Sequence, residues 1–456
     1  MSMSPPFPPI EELADRIRSG RTTSEQLVEQ CLAAIDRQEG QLNAFISVLA
    51  DEARTDARRA DRELREGHDR GVLHGIPISV KDLIDLDGLP TTAASLVRDG
   101  HRATSDALVL SHLRRAGAVF VGKCNLHEFA FGTTGEDSAF GPTRNPYAPG
   151  HMPGGSSSGS AVSVAAGMAV ASVGTDTGGS IRIPSAACGV VGLKPTYGEL
   201  SCDGVIPLAE SLDHVGPLGS SVSDVACLYE VMAGRAPTTL ASNDRPRPAV
   251  AGVLRPYFLD QLDDIVRHDL DALLDRLRHA GWDVQDVSLP HAENIAETYR
   301  QTVLYEAFNV HRTALSQRPD KYSPRVRARL ALGANISQRD YEDARRMRDT
   351  LRREVETLLA TRPYLVLPTL PMPAPPLHTE TISLGENDQP TAIRELTLRL
   401  TQLFDLTGHP ALSIPMGLSP GGLPTAVQLI GRSGHTASLL RDASEYEEVI
   451  RGTNPG

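Results

Sequence analysis

The sequence lacks several features that would place it in a specialised class of protein. Its five cysteines are scattered over 456 residues, which favours a reducing compartment, and we predict the cytoplasm. No apolar run approaches the roughly 20 residues of a membrane span. The first residues also lack the basic and apolar segments of a secretion signal. The net charge of −12 argues against broad binding to nucleic acids or anionic membranes.

Motifs for other chemistries are present only in unsuitable contexts. Gly155–Gly159 matches the G-x-S-x-G elbow of α/β hydrolases, but Pro149–Pro153 before it cannot form the strand that the elbow requires. Gly117–Cys124 nearly matches a P-loop, yet strand-forming residues fill its middle and cysteine replaces the Mg²⁺-binding Ser or Thr. His127-Glu128 lacks the second histidine of a zinc-protease helix. We therefore predict no metal and no cofactor.

Short apolar strands alternate with amphipathic helices along the chain. This pattern is typical of an α/β sheet that is covered by helices on both faces. Residues 250–289 predict a local β-α-β unit, and the charged region 292–362 predicts a helical elaboration near a pocket. Ala236–Pro248 has the composition of a linker. Strand patterns lie on both sides of it, so one sheet can include both parts.

Two glycine loops that carry serine flank the small-residue segment Ala161–Val173. They are Met152–Ser160 and Gly174–Ser180. Consecutive glycines allow positive φ angles and can direct several N–H groups toward one point, which suits a phosphate or a developing oxyanion. One such loop is typical of a tight turn beside a helix. Two loops, each with a serine, favour catalysis.

Lys81 follows the apolar run Ile76–Val80, which predicts a buried strand. Taken alone, such a lysine is expected to extend its amine to solvent. A buried lysine has a pKa below its usual ~10.4, in extreme cases by about 3–5 units, and can then accept a proton. Ser180 and Ser156 could pass a proton to it. We interpret His214, beside Asp213, as a structural or pocket-lining histidine rather than a member of a Ser-His-Asp triad.

At these residues the chain resembles the amidase signature family of serine hydrolases. The resemblance is strong from about Gly75 to Ser223 and weaker over Pro410–Gly431. The separations of 75 residues from Lys81 to Ser156, and of 24 from Ser156 to Ser180, are usual for that family. The matching motifs are Gly75–Asp82, Gly141–Pro146, Pro153–Ser157, Gly174–Arg182 and Gly189–Thr196.

The resemblance implies a role for each residue of these loops. Ser180 would be the acylated nucleophile, Ser156 a bridging serine after a cis peptide bond, and Lys81 the general base and then acid. The backbone N–H groups implied to form the oxyanion hole are those of Thr177, Gly178, Gly179 and Ser180. The residues implied to support the site by hydrogen bonding or pairing are Ser157, Asp176 and Arg182.

The family fold is a single α/β/α domain with a large mixed β-sheet. We therefore expect residues 1–456 to form one domain, with the signature core over about 75–223. The linker-like segment would then be a loop inside that domain.

Two departures from the family pattern bear on the substrate. Ile183 stands where members that recognise small acids or glutamine carry Arg, and Glu199 stands where Arg is frequent. Both favour a stand-alone hydrolase, and the apolar Ile183 indicates a less polar acyl pocket. The family contains monomers and dimers, and we expect a monomer or homodimer. Its expected small-molecule substrates are amides, aryl amides, carbamates (urethanes) and esters. The alternatives are the glutamine-hydrolysing subunit of a tRNA-dependent amidotransferase and a non-catalytic binding protein, which the Lys-Ser-Ser set disfavours.

Overall fold

Eleven strands form one sheet, and two more form a separate hairpin. The computed structural model describes residues 5–236, 250–385 and 387–452, so nearly all of the predicted linker lies outside the described residues. In chain order the strands are β1 (Phe45–Val48), β2 (Pro77–Lys81), β3 (Val119–Cys124), β4 (Ala171–Asp176), β5 (Val191–Lys194), β6 (His214–Gly219), β7 (Val250–Leu254), β8 (Asp283–Val287), β9 (Tyr364–Pro368), β10 (Thr381–Leu384), β11 (Asn387–Ala392), β12 (Ala411–Leu418) and β13 (Pro424–Ile430).

The large sheet is mixed, as predicted. Its order is β1-β3-β2-β4-β6-β5-β12-β13-β9-β7-β8, so strands from both sides of residues 237–249 share it. β2 runs parallel to both β3 and β4, and β7 runs parallel to both β8 and β9. The other pairings in this sheet are antiparallel. The carboxyl ends of β2 and β4 therefore meet at one edge of the sheet.

Fourteen α-helices of the described residues surround the sheet. They are α1 (Ile10–Arg18), α2 (Ser24–Leu42), α3 (Ala50–Arg65), α4 (Leu108–Arg115), α5 (Ser158–Ala165), α6 (Arg182–Ala187), α7 (Val222–Met232), α8 (Asp264–His279), α9 (Ile295–Gln317), α10 (Pro324–Leu332), α11 (Gln338–Thr361), α12 (Ile393–Arg399), α13 (Gln402–Thr407) and α14 (Thr436–Arg451). Within the described ranges, none of these helices is long and apolar enough to cross a bilayer.

Helices cover both faces of the sheet, which confirms the predicted α/β/α architecture. Side chains alternate between the two faces of a strand. Val119 and Val121 of β3 pack into one apolar cluster with α2 and α5, whereas Phe120 between them packs into a second, larger cluster with α4 and α7. Both clusters are removed from water, and this burial is the main stabilising contribution to the fold.

The structure differs from the sequence prediction mainly in short elements. The predicted strands and helices are present with shifted ends, and β7, α8 and β8 form the expected β-α-β unit. β1, β6, the hairpin β10–β11 and the helices α6, α12 and α13 were not predicted. β6 contains Gly216-Pro217, which weakens the strand signal, although it pairs with both β4 and β5.

Candidate active site

Lys81 is fully buried at the carboxyl end of β2. Its Nζ lies 2.8 Å from Ser156 Oγ, 3.0 Å from Ser157 Oγ and 2.6 Å from Thr175 Oγ1. Among the described residues, it forms no ion pair with a carboxylate. Burial lowers the pKa of Lys81 to about 7, although the more distant charges of Asp176 and Asp213 act in the opposite direction. A substantial fraction of this amine is therefore neutral near pH 7.

Ser156 and Ser157 lie in the loop that leads into α5. The peptide bond between Gly155 and Ser156 is cis, as the resemblance implied. The carbonyl of Ser156 accepts a hydrogen bond from His127 N–H at 3.1 Å, and Ser157 Oγ donates to the carbonyl of Thr175 at 3.0 Å. These contacts hold both hydroxyls against the Lys81 amine.

Ser180 lies on the second glycine loop, which follows β4. Its carbonyl accepts a hydrogen bond from Ser157 N–H at 3.1 Å, so the two serine loops are joined directly. Ser180 is 6% exposed, whereas Ser156 is fully buried. Ser180 is thus slightly more exposed than Ser156 and Lys81, which are both fully buried.

The backbone of the loop 177–180 presents N–H groups that have no protein acceptor. In the described part of the chain, the N–H groups of Thr177, Gly178 and Ser180 make no hydrogen bond. The N–H of Gly179 instead donates to Asp176 Oδ1 at 2.6 Å. Gly179 has a φ of +137°, and a Cβ there would lie 2.4 Å from Thr401 Oγ1, so this position requires glycine. Three N–H groups remain free to bind an oxygen atom.

A buried ion cluster holds the base of this loop. Arg182 Nε lies 3.0 Å from Asp176 Oδ2, and its Nη2 lies 2.6 Å from Asp405 Oδ2. Arg182 also donates to the Thr401 carbonyl and to Gln428 Oε1, both at 3.1 Å. Burial alone would raise the pKa of Asp176, but the Arg182 guanidinium holds that pKa well below its usual value. Asp176 is therefore ionised at neutral pH, and its partner Arg182 links the loop to α13 and β13.

Several residues around the site were missed by sequence reasoning. Thr175 holds the Lys81 amine, and Asp213 Oδ1 accepts a hydrogen bond from Thr177 Oγ1 at 2.6 Å. Burial raises the pKa of Asp213 to about 7. Thr401 donates to the Gly178 carbonyl at 2.6 Å across a separation of 223 residues. Thr175 could have been found from its place in the second loop, but no local signal indicates Thr401.

The residues set aside in the sequence occupy other places. Gly117–Cys124 contributes β3, and its Lys123 is buried with Nζ 2.9 Å from Asp82 Oδ1. His214 Nδ1 lies 2.6 Å from the Leu212 carbonyl, and its Nε2 lies 3.2 Å from Lys194 Nζ. His127 Nε2 lies 3.2 Å from Asp137. Nowhere in residues 5–236, 250–385 and 387–452 do three or more His, Cys, Asp or Glu side chains form a cluster that could hold a metal ion.

Comparison with known proteins agrees with this geometry. The Amidase family model matches residues 26–440. The chain is 37% identical to an amidase of Pseudomonas putida, with 96% of this chain and 95% of that one covered. It is 36% identical to a glutamyl-tRNA(Gln) amidotransferase subunit of Koribacter versatilis, with 95% and 96% covered. A crystal structure of an amidase superposes with a TM-score of 0.92 at 38% identity, covering 97% of this chain and all of that one. The chain therefore belongs to the amidase signature family of enzymes that hydrolyse carbon–nitrogen bonds.

Proposed function

We propose that this protein hydrolyses amide-type bonds through an acyl-enzyme on Ser180. The observation that carries the proposal is the 2.8 Å contact between Lys81 Nζ and Ser156 Oγ, in a buried site where, among the described residues, the amine's hydrogen bonds go to hydroxyl groups. With a pKa of about 7, the amine has a lone pair available at neutral pH. A general base of this kind typically contributes about 10²–10⁴ in rate.

Acylation begins when Ser180 Oγ attacks the carbonyl carbon of the substrate. Its proton passes to Ser156 Oγ as the Ser156 proton passes to Lys81 Nζ, which leaves an ammonium group. The N–H groups of Thr177, Gly178 and Ser180 are the proposed donors to the oxyanion, because they have no other acceptor among the described residues. Gly179 would join them only after its N–H left Asp176.

Collapse of the tetrahedral intermediate returns the proton along the same route. Lys81 gives a proton to Ser156, and Ser156 gives its own to the leaving nitrogen as the C–N bond breaks. A water molecule then attacks the ester on Ser180, again with Lys81 as the base, and the acid product leaves. No group is oxidised or reduced, and the enzyme is regenerated.

The supporting residues act by position. Ser157 and Thr175 fix the direction of the Lys81 amine, and Asp176 with Arg182 fixes the shape of the loop that carries Ser180. Loss of any one of them leaves the reacting groups present but displaced. Misplaced reacting groups cost rate even when all of them remain, because catalysis depends on a near-attack arrangement.

We propose small neutral amides, aryl amides, carbamates and esters as the substrate range. All of them have a carbonyl carbon open to Ser180 and a leaving group that the relay can protonate. The relative named as an amidase supports a stand-alone enzyme, as does the apolar Ile183. The second candidate, supported by the relative named as part of an amidotransferase, is a glutamine-hydrolysing subunit that needs partner chains.

A substrate panel tests the proposal. The purified chain alone is incubated with an aliphatic amide, an anilide, a p-nitrophenyl ester, an aryl carbamate and glutamine, and the released amine, ammonia or phenol is measured. We expect Ser180→Ala to reduce turnover by at least about 10³-fold, because the covalent route is lost. Ser185→Ala is the matched control, since this buried serine lies nearby on α6 and its hydroxyl has no hydrogen-bond partner among the described residues.

The outcomes separate the two candidate functions. Hydrolysis of the anilide or carbamate that disappears in Ser180→Ala and persists in Ser185→Ala supports the stand-alone hydrolase. Hydrolysis of glutamine alone, or activity that needs added partner chains, supports the amidotransferase function. Amide turnover that is undiminished in Ser180→Ala contradicts the proposed nucleophile.

A further inference from the structure

Asp213 is a half-buried carboxylate that lies opposite the start of the loop 177–180. It directly precedes β6, and Thr177 directly follows β4. The two strands are antiparallel, and Asp176 pairs with His214 at the end of their register. The residues just beyond this pair, Thr177 and Asp213, therefore face each other. Thr177 Oγ1 donates a hydrogen bond to Asp213 Oδ1 at 2.6 Å.

The Asp213 carboxylate accepts three hydrogen bonds. Besides the Thr177 hydroxyl, the N–H groups of Leu208 and Ala209 donate to its Oδ2 at 2.9 and 3.0 Å. In the described part of the chain, Asp213 forms no ion pair. An ionised carboxylate only accepts hydrogen bonds, whereas an amide would present an NH₂ group to one set of these donors. The three donors therefore match an ionised carboxylate.

The hydrogen bond to Asp213 restrains the residue that carries the first N–H group of the loop. The Thr177 N–H makes no hydrogen bond among the described residues and is a proposed oxyanion donor. A threonine side chain has a single, stiff χ1 torsion, so a contact that fixes its hydroxyl also fixes its backbone. The N–H of Gly179 and the carbonyl of Gly178 are held by other partners. Asp213 thus restrains the start of the loop.

The segment that carries Asp213 is held in turn by two helices of the region 292–362. The N–H and the hydroxyl of Ser211 donate to the Glu306 carboxylate at 3.0 and 2.6 Å. Glu306 lies on α9 and also accepts a hydrogen bond from Tyr341 of α11 at 2.8 Å. A second residue of α11, Arg348, donates to the Ser211 carbonyl at 2.8 Å. These contacts fix the turn from which Asp213 reaches the loop.

We propose that Asp213 is a positioning residue that aligns the Thr177 N–H with the oxyanion, and that Glu306 holds Asp213 in place. The inference rests on the proposed hydrolysis through Ser180 and assigns Asp213 no part in proton transfer. The oxyanion exists in the transition state but not in the bound substrate, so the effect is expected on kcat rather than on KM. The helices α9 and α11 would then contribute to the rate without contacting the reacting atoms.

Variants at both ends of the hydrogen bond test this inference, with the panel amide or anilide that the native chain hydrolyses fastest. Asp213→Asn should lower kcat by about 10- to 100-fold, because the Thr177 N–H is displaced rather than removed. KM should change by less than about threefold. Thr177→Val should have the same effect, whereas Thr177→Ser keeps the hydroxyl and should restore most of kcat. Asp203→Asn, at an exposed position nearby in the chain, is the matched control.

A double-mutant cycle shows whether Asp213 acts through Thr177. If both side chains act through one hydrogen bond, Asp213→Asn combined with Thr177→Val should lower kcat by less than about twofold beyond either single variant. If they act independently, the two losses multiply. Urea denaturation gives the folded fraction of each variant, so that kcat is expressed per folded molecule. A purely structural role for Asp213 would lower the folded fraction and leave this kcat unchanged.

Glu306→Gln tests the outer contact of the network. An amide has one acceptor oxygen in place of two, so the hydrogen bonds from Ser211 and Tyr341 cannot all be kept. We expect kcat to fall by about 3- to 10-fold, less than for Asp213→Asn, because the change is one contact further from the loop. Glu297→Gln is the matched control on the same helix, since the exposed Glu297 contacts Arg300 instead.

Each outcome supports or overturns a stated part of the inference. Losses in Asp213→Asn and Thr177→Val that do not multiply, with KM unchanged, support it. Native kcat in Asp213→Asn, losses that multiply, or no recovery in Thr177→Ser overturns it and leaves the hydrolase intact. If Asp213→Asn does not fold, equal kcat in Thr177→Val and Thr177→Ser overturns it, and a loss confined to Thr177→Val supports it.

The remaining outcomes concern Glu306 and the native chain. Native kcat in Glu306→Gln overturns the outer contact and leaves the role of Asp213 standing. If the native chain hydrolyses no member of the panel, the proposed function fails, and this inference fails with it.

Discussion

Lys81 and Lys123 are two fully buried lysines on neighbouring strands with different surroundings. They lie at the ends of β2 and β3, where Lys123 pairs with Val80 in the sheet register. Lys123 lies 2.9 Å from the Asp82 carboxylate and donates to the Ile84 carbonyl at 2.8 Å. Lys81 contacts three hydroxyl oxygens and, among the described residues, no carboxylate. Burial is the same for both, so the two lysines differ in their partners, a carboxylate for Lys123 and hydroxyl groups for Lys81.

Lys194 shows that a lowered pKa is insufficient for catalysis. It is also fully buried, and burial lowers its pKa to about 7, as it does for Lys81. Its Nζ donates to the His409 carbonyl at 2.7 Å and lies near His214, and no serine hydroxyl of the described residues is among its contacts. A neutral amine becomes a useful base only beside a hydroxyl that it can deprotonate. Among the described residues, Lys81 is the one of the three lysines whose amine contacts a serine hydroxyl.

Replacement of each lysine by methionine should give opposite phenotypes. We expect Lys81→Met to lower kcat by about 10⁴-fold with the fold retained, because the base is removed. Lys123→Met should mainly lower the free energy of unfolding, because Asp82 is left without its cation. Steady-state kinetics of both variants measures kcat, and urea titration measures the free energy of unfolding. Comparable activity loss per folded molecule in the two variants would contradict the distinction.

Removal of the carboxylate beside Lys123 should destabilise the protein. Asp82→Asn leaves a buried ammonium without a counter-charge, and breaking such a pair typically costs about 3–5 kcal/mol of unfolding free energy. Asp87→Asn, at an exposed position of the same segment, should change the free energy of unfolding by less than about 0.5 kcal/mol. Urea denaturation measures both. A small effect of Asp82→Asn would mean that the carbonyl contacts alone hold Lys123.

A carboxylate placed beside Lys81 should make it resemble Lys123. Thr175 Oγ1 lies 2.6 Å from Lys81 Nζ, so Thr175→Asp would hold the amine in its charged form. An opposite charge at this distance moves a pKa by about 1–3 units, so kcat/KM at pH 7 should fall by about 100-fold and recover toward alkaline pH. Thr175→Asn is the matched control, because the asparagine side chain has nearly the same shape as aspartate but carries no charge. Its pH profile should keep the native midpoint, and a shift in both variants would exclude a charge effect.

The native pH profile should report the Lys81 amine itself. Because the lowered pKa of about 7 belongs to a base that must be neutral, kcat/KM should fall by about tenfold per pH unit below that value and level off above it. Asp213 has a pKa raised to about 7 and contacts Thr177, so it could produce a similar midpoint. The variant Asp213→Asn distinguishes titration of Lys81 from titration of Asp213. A midpoint that vanishes in this variant would assign the titration to Asp213.

The local sequence indicates the candidate catalytic residues because they lie in short contiguous motifs. Lys81, Ser156 and Ser180 lie in motifs whose glycines, serines and flanking strands are visible locally. The alternating strands and helices predict an α/β sheet covered on both faces, and the resemblance implied that this sheet is mixed. β6 was missed because Gly216-Pro217 weakens its pattern, and its place between β4 and β5 is a long-range property.

The residues that surround the candidate site could not be predicted from local sequence motifs. Thr401, just before α13, and Tyr299, on α9, reach Gly178 from segments distant in the chain. Such contacts depend on tertiary packing, which no local pattern specifies. The contacts that support the loop 177–180 are therefore seen only in the folded chain.

The burial of Lys81, Lys123 and Lys194 also determines how this protein reacts with amine-directed reagents. The chain has four lysines in all, and Lys321 is the exposed one. Among the lysine side chains, an activated ester applied to the folded protein should therefore modify Lys321. A dye or a solid support could be attached at Lys321 while the three interior amines stay unmodified. Labelling of a second lysine would then report local opening of the sheet edge.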